Sequence, residues 1–190
     1  MGPKNKYSKE QIVEAAFEIA KEEGMDNITM MKIAKKMGSS VAPIYVNFKG
    51  MNELIEAILE RIIGVSQQLL LEERTGNPFH DMGRASLRFA AEYSALFRDL
   101  VMKNNNYMKD YDEKMVPVLI EEMKKDPELE GFSTDELKTI LLKVRIFQLG
   151  LSVMVANGTL PEDVEEQNLG DLLSSAANDV IQSARISKGE

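Results

Sequence analysis

The amino-acid sequence predicts an all-α chain, on three observations. Apolar residues recur at helical spacing nearly end to end. Clusters of Gly, Pro and Asn break that pattern at intervals suited to helix ends. No stretch alternates apolar and polar residues as a half-buried strand does, and no internal repeat or low-complexity tract is present. The expected layout is a three-helix N-terminal domain over residues 1–50 joined to a helical domain over 51–190.

The elements follow in order. A first helix is expected from Ser8, its candidate N-cap, to Glu23, with Ile12, Ala16, Ile19 and Ala20 inward and Gly24 ending it. A short helix follows over about Met30–Met37, capped by Thr29. Gly38-Ser39-Ser40 makes a tight turn, and a third short helix runs over Val41–Asn47 with Pro43 in its tolerant first turn. A long helix spans about Met51–Glu73, until Thr75-Gly76-Asn77-Pro78 breaks it. Two linked helical stretches are expected from Phe79 to about Lys103, then a loop at Asn104–Asn106 and a helix over about Met108–Lys125. Ser133 and Glu136 have the spacing of a capping box and open a helix to about Ala156, closed by Asn157-Gly158. The last helix is expected over about Asn168–Ala184.

The penultimate helix carries two apolar stripes on nearly opposite sides. Leu137, Ile140, Leu141, Val144, Phe147, Leu151 and Val155 form one; Leu142, Ile146, Leu149, Val153 and Ala156 form the other. A helix apolar on two faces must be buried on both. The final helix offers Leu169, Leu172, Leu173, Ala176, Ala177, Val180 and Ala184 on one broad face. The pair is therefore expected to fill the subunit core with one face and to pack against a second copy with another, giving a homodimer through the last two helices.

Composition narrows the chemistry. The chain has 190 residues, 44% of them hydrophobic and 28% charged, which is ordinary for a folded globular protein. Cysteine is absent and histidine occurs once, at His80, which argues against a metal site, a nucleophilic triad, a cofactor or an enzyme. Without cysteines, an apolar leader or an uncharged run beyond Ile146–Ala156, the chain is expected to be cytoplasmic and to avoid membranes. The net charge of −8 is unevenly spread: residues 1–50 hold eight lysines against six carboxylates, a net of +2, leaving −10 for the remainder. The only positive part is the part expected to meet phosphates.

Residues 28–48 read as a helix-turn-helix. Ile33, Ala34 and Met37 supply the inward face of its first helix, and Gly38 can take the positive φ of the turn. Ile44 and Phe48 anchor the second helix so that its N-terminal end can project into a major groove. Thr29, Ile33-Ala34, Gly38, Ile44-Tyr45, Phe48-Lys49 and Glu53-Leu54 together resemble the N-terminal domain of the TetR family of transcriptional regulators, over about residues 8–55.

That resemblance implies a homodimeric regulator, most often a repressor. Its N-terminal helix-turn-helix would bind double-stranded operator DNA, and its C-terminal helical domain would combine dimerisation with ligand binding. A small apolar or amphipathic effector held there would release the DNA. By the same resemblance Thr29, Tyr45, Asn47 and Lys49 would contact the phosphate backbone, while Ser40, Val41, Ala42 and Pro43 would face base edges. Three departures stand out: Ser39 replaces the usual apolar residue after the glycine, Met51 replaces a lysine, and Asn47 stands where histidine is common. Val41 is therefore free to turn inward or outward, and few groups remain for bidentate hydrogen bonds.

The ligand site is less sharply marked. Tyr93, Phe97, Tyr107 and Tyr111 are the expected aromatic lining, and Met82, Met102, Met108, Met115, Met123 and Met154 are either lining or plain core. Arg145, Gln148 and Ser152 share a polar sector of the penultimate helix. Arg145 and Gln148 would bind the effector, unless Arg145 instead pairs with an acid such as Glu92 or Glu121. Two readings compete with the effector-controlled repressor: a DNA-binding regulator without a small-molecule effector, and a helical protein-interaction adaptor.

Overall fold

The computed structural model describes residues 7–75, 77–105, 107, 111–165 and 168–189, apart from the side chains of 78, 111, 112 and 114. The described residues are all-α, as the periodicity predicts. In chain order they form α1 (Lys9–Glu23), α2 (Met30–Lys36), α3 (Ala42–Asn47), α4 (Met51–Glu72), α5 (Pro78–Glu92), α6 (Ser94–Phe97), α7 (Tyr111–Met123), α8 (Thr134–Asn157) and α9 (Leu169–Lys188).

The helices fall into two compact units, and the division does not lie at residue 50. The first unit comprises Met1–Gln67 together with Tyr93–Tyr107; the second comprises Gln68–Glu92 and Met108–Glu190.

In the first unit α1 packs against α2, α3 and α6. Its N-terminus carries a full capping box: Ser8 Oγ accepts from Gln11 N–H, and the Gln11 side chain accepts in return from Ser8 N–H. Ile12, Ala16, Phe17, Ile19 and Ala20 of α1, Ile33 and Ala34 of α2, Ile44 of α3 and the following Phe48 are all buried. Leu54 and Ile58 of α4 are buried too, as are Leu96, Phe97 and Leu100. α6 runs into one π-helical turn over Arg98–Met102, a geometry that leaves backbone carbonyls poorly matched at its end. Asn105 answers this: its Nδ2 donates to the carbonyls of Asp99, Leu100 and Lys103 at 2.7, 3.1 and 2.9 Å.

The segment after Glu92 is fastened to the first unit. Tyr93 packs on Phe17 with ring centroids 6.1 Å apart. Asp99 is buried and accepts a hydrogen bond from Met25 N–H.

The second unit is built on α5, α7, α8 and α9. Its core contains Phe79, Leu87, Ile120, Met123, Leu137, Ile140, Leu141, Val144, Leu151, Leu173 and Ile181. α8 opens with the predicted capping box, Ser133 with Glu136, and closes at Gly158 in the left-handed region. Its two stripes differ in the main: Leu137, Ile140, Leu141, Val144 and Leu151 of the first are buried and Leu142, Ile146 and Leu149 of the second are exposed, but Phe147 of the first is exposed and Ala156 of the second is buried. The whole of α8 is long and apolar enough to cross a membrane by length and composition, since Gln148 and Ser152 interrupt hydropathy less than charges do. Only a third of its most apolar window is buried within this chain.

Candidate nucleic-acid interface

Local chemistry sets the helix-turn-helix. Thr29 takes extended backbone angles, and its Oγ1 accepts from Lys32 N–H at 3.2 Å, capping α2. At the other end Gly38 N–H donates to Lys35 O and Ser39 N–H to Ala34 O, closing the helix around a glycine with φ +63°. Gly38 therefore supplies the positive φ that the turn needs. α3 then starts with Val41 at its N-cap position and Pro43 in its first turn. Fully buried Ile44 and Phe48 pin it from beneath.

The open side of α3 carries little charge. Ser40, Ala42, Tyr45 and Val46 are exposed, and Val41 and Pro43 are half-buried. Val41 thus takes an intermediate position between the two orientations left open by the sequence. Asn47 is tied back into the chain: its Nδ2 donates to Pro43 O at 2.8 Å and to Tyr7 O at 3.4 Å. Its amide nitrogen is therefore already engaged, unlike the outward group expected at a phosphate.

Carboxylates from neighbouring helices hold several lysines here. Lys32 Nζ lies 2.5 Å from Glu23 and donates to Asn27 Oδ1, while Lys36 Nζ lies 3.4 Å from Glu22. Lys9 Nζ lies 3.0 Å from Glu53, whose other oxygen accepts from Lys49 N–H at 2.8 Å. The Lys49 N–H, with Lys9 beside it, holds the Glu53 carboxyl below its usual range. Lys35 and Lys49 are exposed. A cleft of about 520 Å³ opens at Lys49, lined also by Gly50, Met51, Asn52, Glu53 and Glu56.

Two residues on this surface have no role in the sequence reading. Met31 is 78% exposed and Val46 69% exposed, both large apolar side chains turned to water. The available signal was their register: each falls off the inward spacing of its helix.

The residues expected to hold an effector are distributed between the units. Tyr93, Phe97 and Tyr107 belong to the first; Arg145 and Gln148 belong to the second. The Tyr111 side chain lies outside the described residues, as does Met108. Phe97 is core, and Tyr93 is packed on Phe17 with Lys21 Nζ 5.1 Å from its ring centroid. Gln148 Nε2 donates to Ser86 Oγ at 2.5 Å. The acids offered to Arg145 have other partners: Glu92 lies 2.6 Å from Arg88, and Glu121 lies 2.8 Å from Lys124. One turn beyond Gln148, the Ser152 hydroxyl is fully buried and has no hydrogen-bond partner among the described residues.

Comparison with known proteins bears on this geometry directly. Residues 12–58 match the family described as bacterial regulatory proteins, tetR family. Over these residues the chain is similar to the DNA-binding part of that family. Over 61 residues the chain is 33% identical to the HTH-type transcriptional repressor DrrR1 of Streptomyces coeruleorubidus, covering 32% of this chain and 23% of that one. The chain spans only about a quarter to a third of the length of the curated relatives it matches. The likeness extends further in structure. A transcriptional regulator of Rhodococcus sp. Rha1 superposes with TM-score 0.69 at 16% identity, covering 93% of this chain and 97% of that one. RolR, solved in complex with resorcinol, superposes with TM-score 0.52 at 12% identity, covering 97% and 96%. The likeness is thus one of sequence over residues 12–58 and one of fold alone beyond them.

Proposed function

We propose that this chain is a DNA-binding transcriptional regulator that works as a homodimer in the cytoplasm, represses from an operator and releases it on binding a small molecule. The observation that carries the DNA-binding part is the α2–α3 arrangement within the TetR-family match. Pinned Ile44 and Phe48 leave Ser40, Ala42, Pro43 and Tyr45 available to a major groove, with Thr29, Tyr45 and Lys49 at its phosphate edges. The dimer reading is supported by the exposed stripe Leu142, Ile146 and Leu149 on α8 and by exposed Leu172 on α9.

The effector reading has narrower support. The Ser152 hydroxyl, buried and without a partner among the described residues, lies one turn from Gln148, and such a group calls for an explanation. DrrR1 is named a repressor, and RolR was solved with resorcinol. The effector proposed here is a small apolar or amphipathic molecule.

The test is selection of binding sites from a random duplex library at fixed, near-physiological salt, with a Tyr45→Phe, Lys49→Ala double variant alongside. Enriched two-fold-symmetric sites, bound more weakly by the variant, support the reading. Absence of enrichment from well-folded protein, with binding insensitive to salt, would favour a helical adaptor instead.

A further inference from the structure

We infer that α3 reads its operator through thymine methyl groups, with Ala42 and Val46 as the residues that set specificity. This rests on the DNA-binding reading above and names the feature of the duplex that is recognised.

In the major groove each base is told apart by what it offers: guanine two acceptors, adenine an acceptor and a donor, cytosine a donor, thymine a methyl group. Reading guanine takes Arg or Lys, adenine takes an amide, and cytosine takes a carboxylate. None of these side chains lies on the exposed positions of α3, which are Ala42, Tyr45 and Val46, or at exposed Ser40 just before it. The single amide of the helix, Asn47, spends its donor on Pro43 O and Tyr7 O, so it cannot pair bidentately with adenine. Lys32 and Lys36 of α2 are paired with Glu23 and Glu22. The hydroxyl of Ser40 serves any base and so discriminates little.

The remaining surface is apolar and open. Ala42 and Val46 are four residues apart and therefore lie on one face. Val46 is a branched side chain left 69% exposed by the described residues. An exposed methyl-bearing surface recovers free energy when it meets another methyl group and water is expelled. Thymine is the only unmodified DNA base that presents one in the groove. The half-site is therefore expected to be T·A-rich where α3 touches it.

The experiment uses the full chain and duplexes selected as above. Each half-site thymine is replaced in turn by deoxyuridine, which removes the methyl and keeps the pairing edge. Affinity should fall about fourfold for each contacted methyl. Val46→Ala, checked by thermal melt for an unaltered fold, should abolish the penalty at its own position. At a position where thymine is changed to cytosine, 5-methylcytosine should bind more tightly than cytosine. Equal binding of thymine and uracil duplexes throughout would overturn the inference while leaving a DNA-binding protein. So would a consensus of G·C pairs weakened by 7-deazaguanine. Failure to select any site, with no salt dependence even at low ionic strength, would remove the DNA-binding reading itself.

Discussion

The carboxylate of Asp99 accepts a hydrogen bond from the backbone N–H of Met25 at 2.6 Å, joining two positions 74 residues apart within one unit. Asp99 is buried, and Lys103 Nζ, 2.7 Å away, bridges it to Asp26. The two carboxylates, Asp26 first, keep Lys103 protonated well above its ordinary range. Gly24 lies immediately before Met25 with φ +92°, and a Cβ there would overlap Asp99 Oδ2. Asp99→Ala strands the Met25 N–H and should cost about 2–3 kcal/mol. It should lower Tm by about 5–10 °C. Asp99→Asn keeps an acceptor and should cost less. Thermal melts of the three proteins check the order, and an unchanged Tm for Asp99→Ala would show the contact to be idle.

Lys49→Ala should weaken binding to all duplexes alike and reduce the slope of log affinity against log salt by about 1, the loss of one phosphate contact. Tyr45→Phe should also weaken binding without altering sequence preference. Titrations at several salt concentrations measure both. A changed consensus for either variant would assign that residue to base readout.

The dimer proposal makes Leu142→Arg and Ile146→Arg informative, since both side chains are exposed within the single chain. Each charge would enter a two-fold interface twice. Dimer affinity should fall at least about tenfold, with thermal stability at fixed monomer concentration lowered only through lost association. Sedimentation of the variants decides it, and an unaltered dimer mass would place the interface elsewhere.

Glu53 gives a pH dependence of known sign. Its carboxyl is held below the ordinary 4.5 by the Lys49 N–H and by Lys9. The stabilisation is thus complete above pH 4.5 and is lost as pH falls through the lowered folded value. Glu53→Gln should melt below the wild type at neutral pH, and the gap should close in acid. A gap of constant size across that range would mean the charge is immaterial.

Ser152→Ala removes a buried hydroxyl that has no partner among the described residues. Such a group contributes desolvation cost without a bond, so Tm should stay the same or rise. A clear fall would reveal a hydrogen bond formed in solution.

Much of this fold is legible in the sequence because the signals are local. The caps at Thr29, Ser133 and Glu136, the turn at Gly38 and the inward spacing of Ile33, Ala34, Ile44 and Phe48 each depend on residues within a few positions. The contrast between the stripes of α8 was legible in part: Leu137 and Ile146 differ by angle around the helix, but Phe147 and Ala156 fall on the opposite side of the contrast from their stripes. What the sequence conceals is long-range. Nothing near Asp99 marks it as a partner for Met25, and Asn47 reads as outward until Pro43 O and Tyr7 O are seen to accept from it. The aromatic set Tyr93, Phe97 and Tyr107 was gathered by residue type, which carries no information about the unit a side chain joins.

The discontinuity of the first unit bears on how the protein is made. Because Tyr93–Tyr107 completes a unit begun by the N-terminal helices, a nascent chain cannot finish that unit when its helix-turn-helix leaves the ribosome. It must first synthesise the intervening residues of the other unit, Gln68–Glu92, and hold them unpaired while the Asp99 segment returns to Met25. Closing so distant a contact is slow relative to local helix formation. During translation α2 and α3 therefore exist for a time without their clasp, and a graft of these helices onto another protein would have to carry residues 93–107 as well.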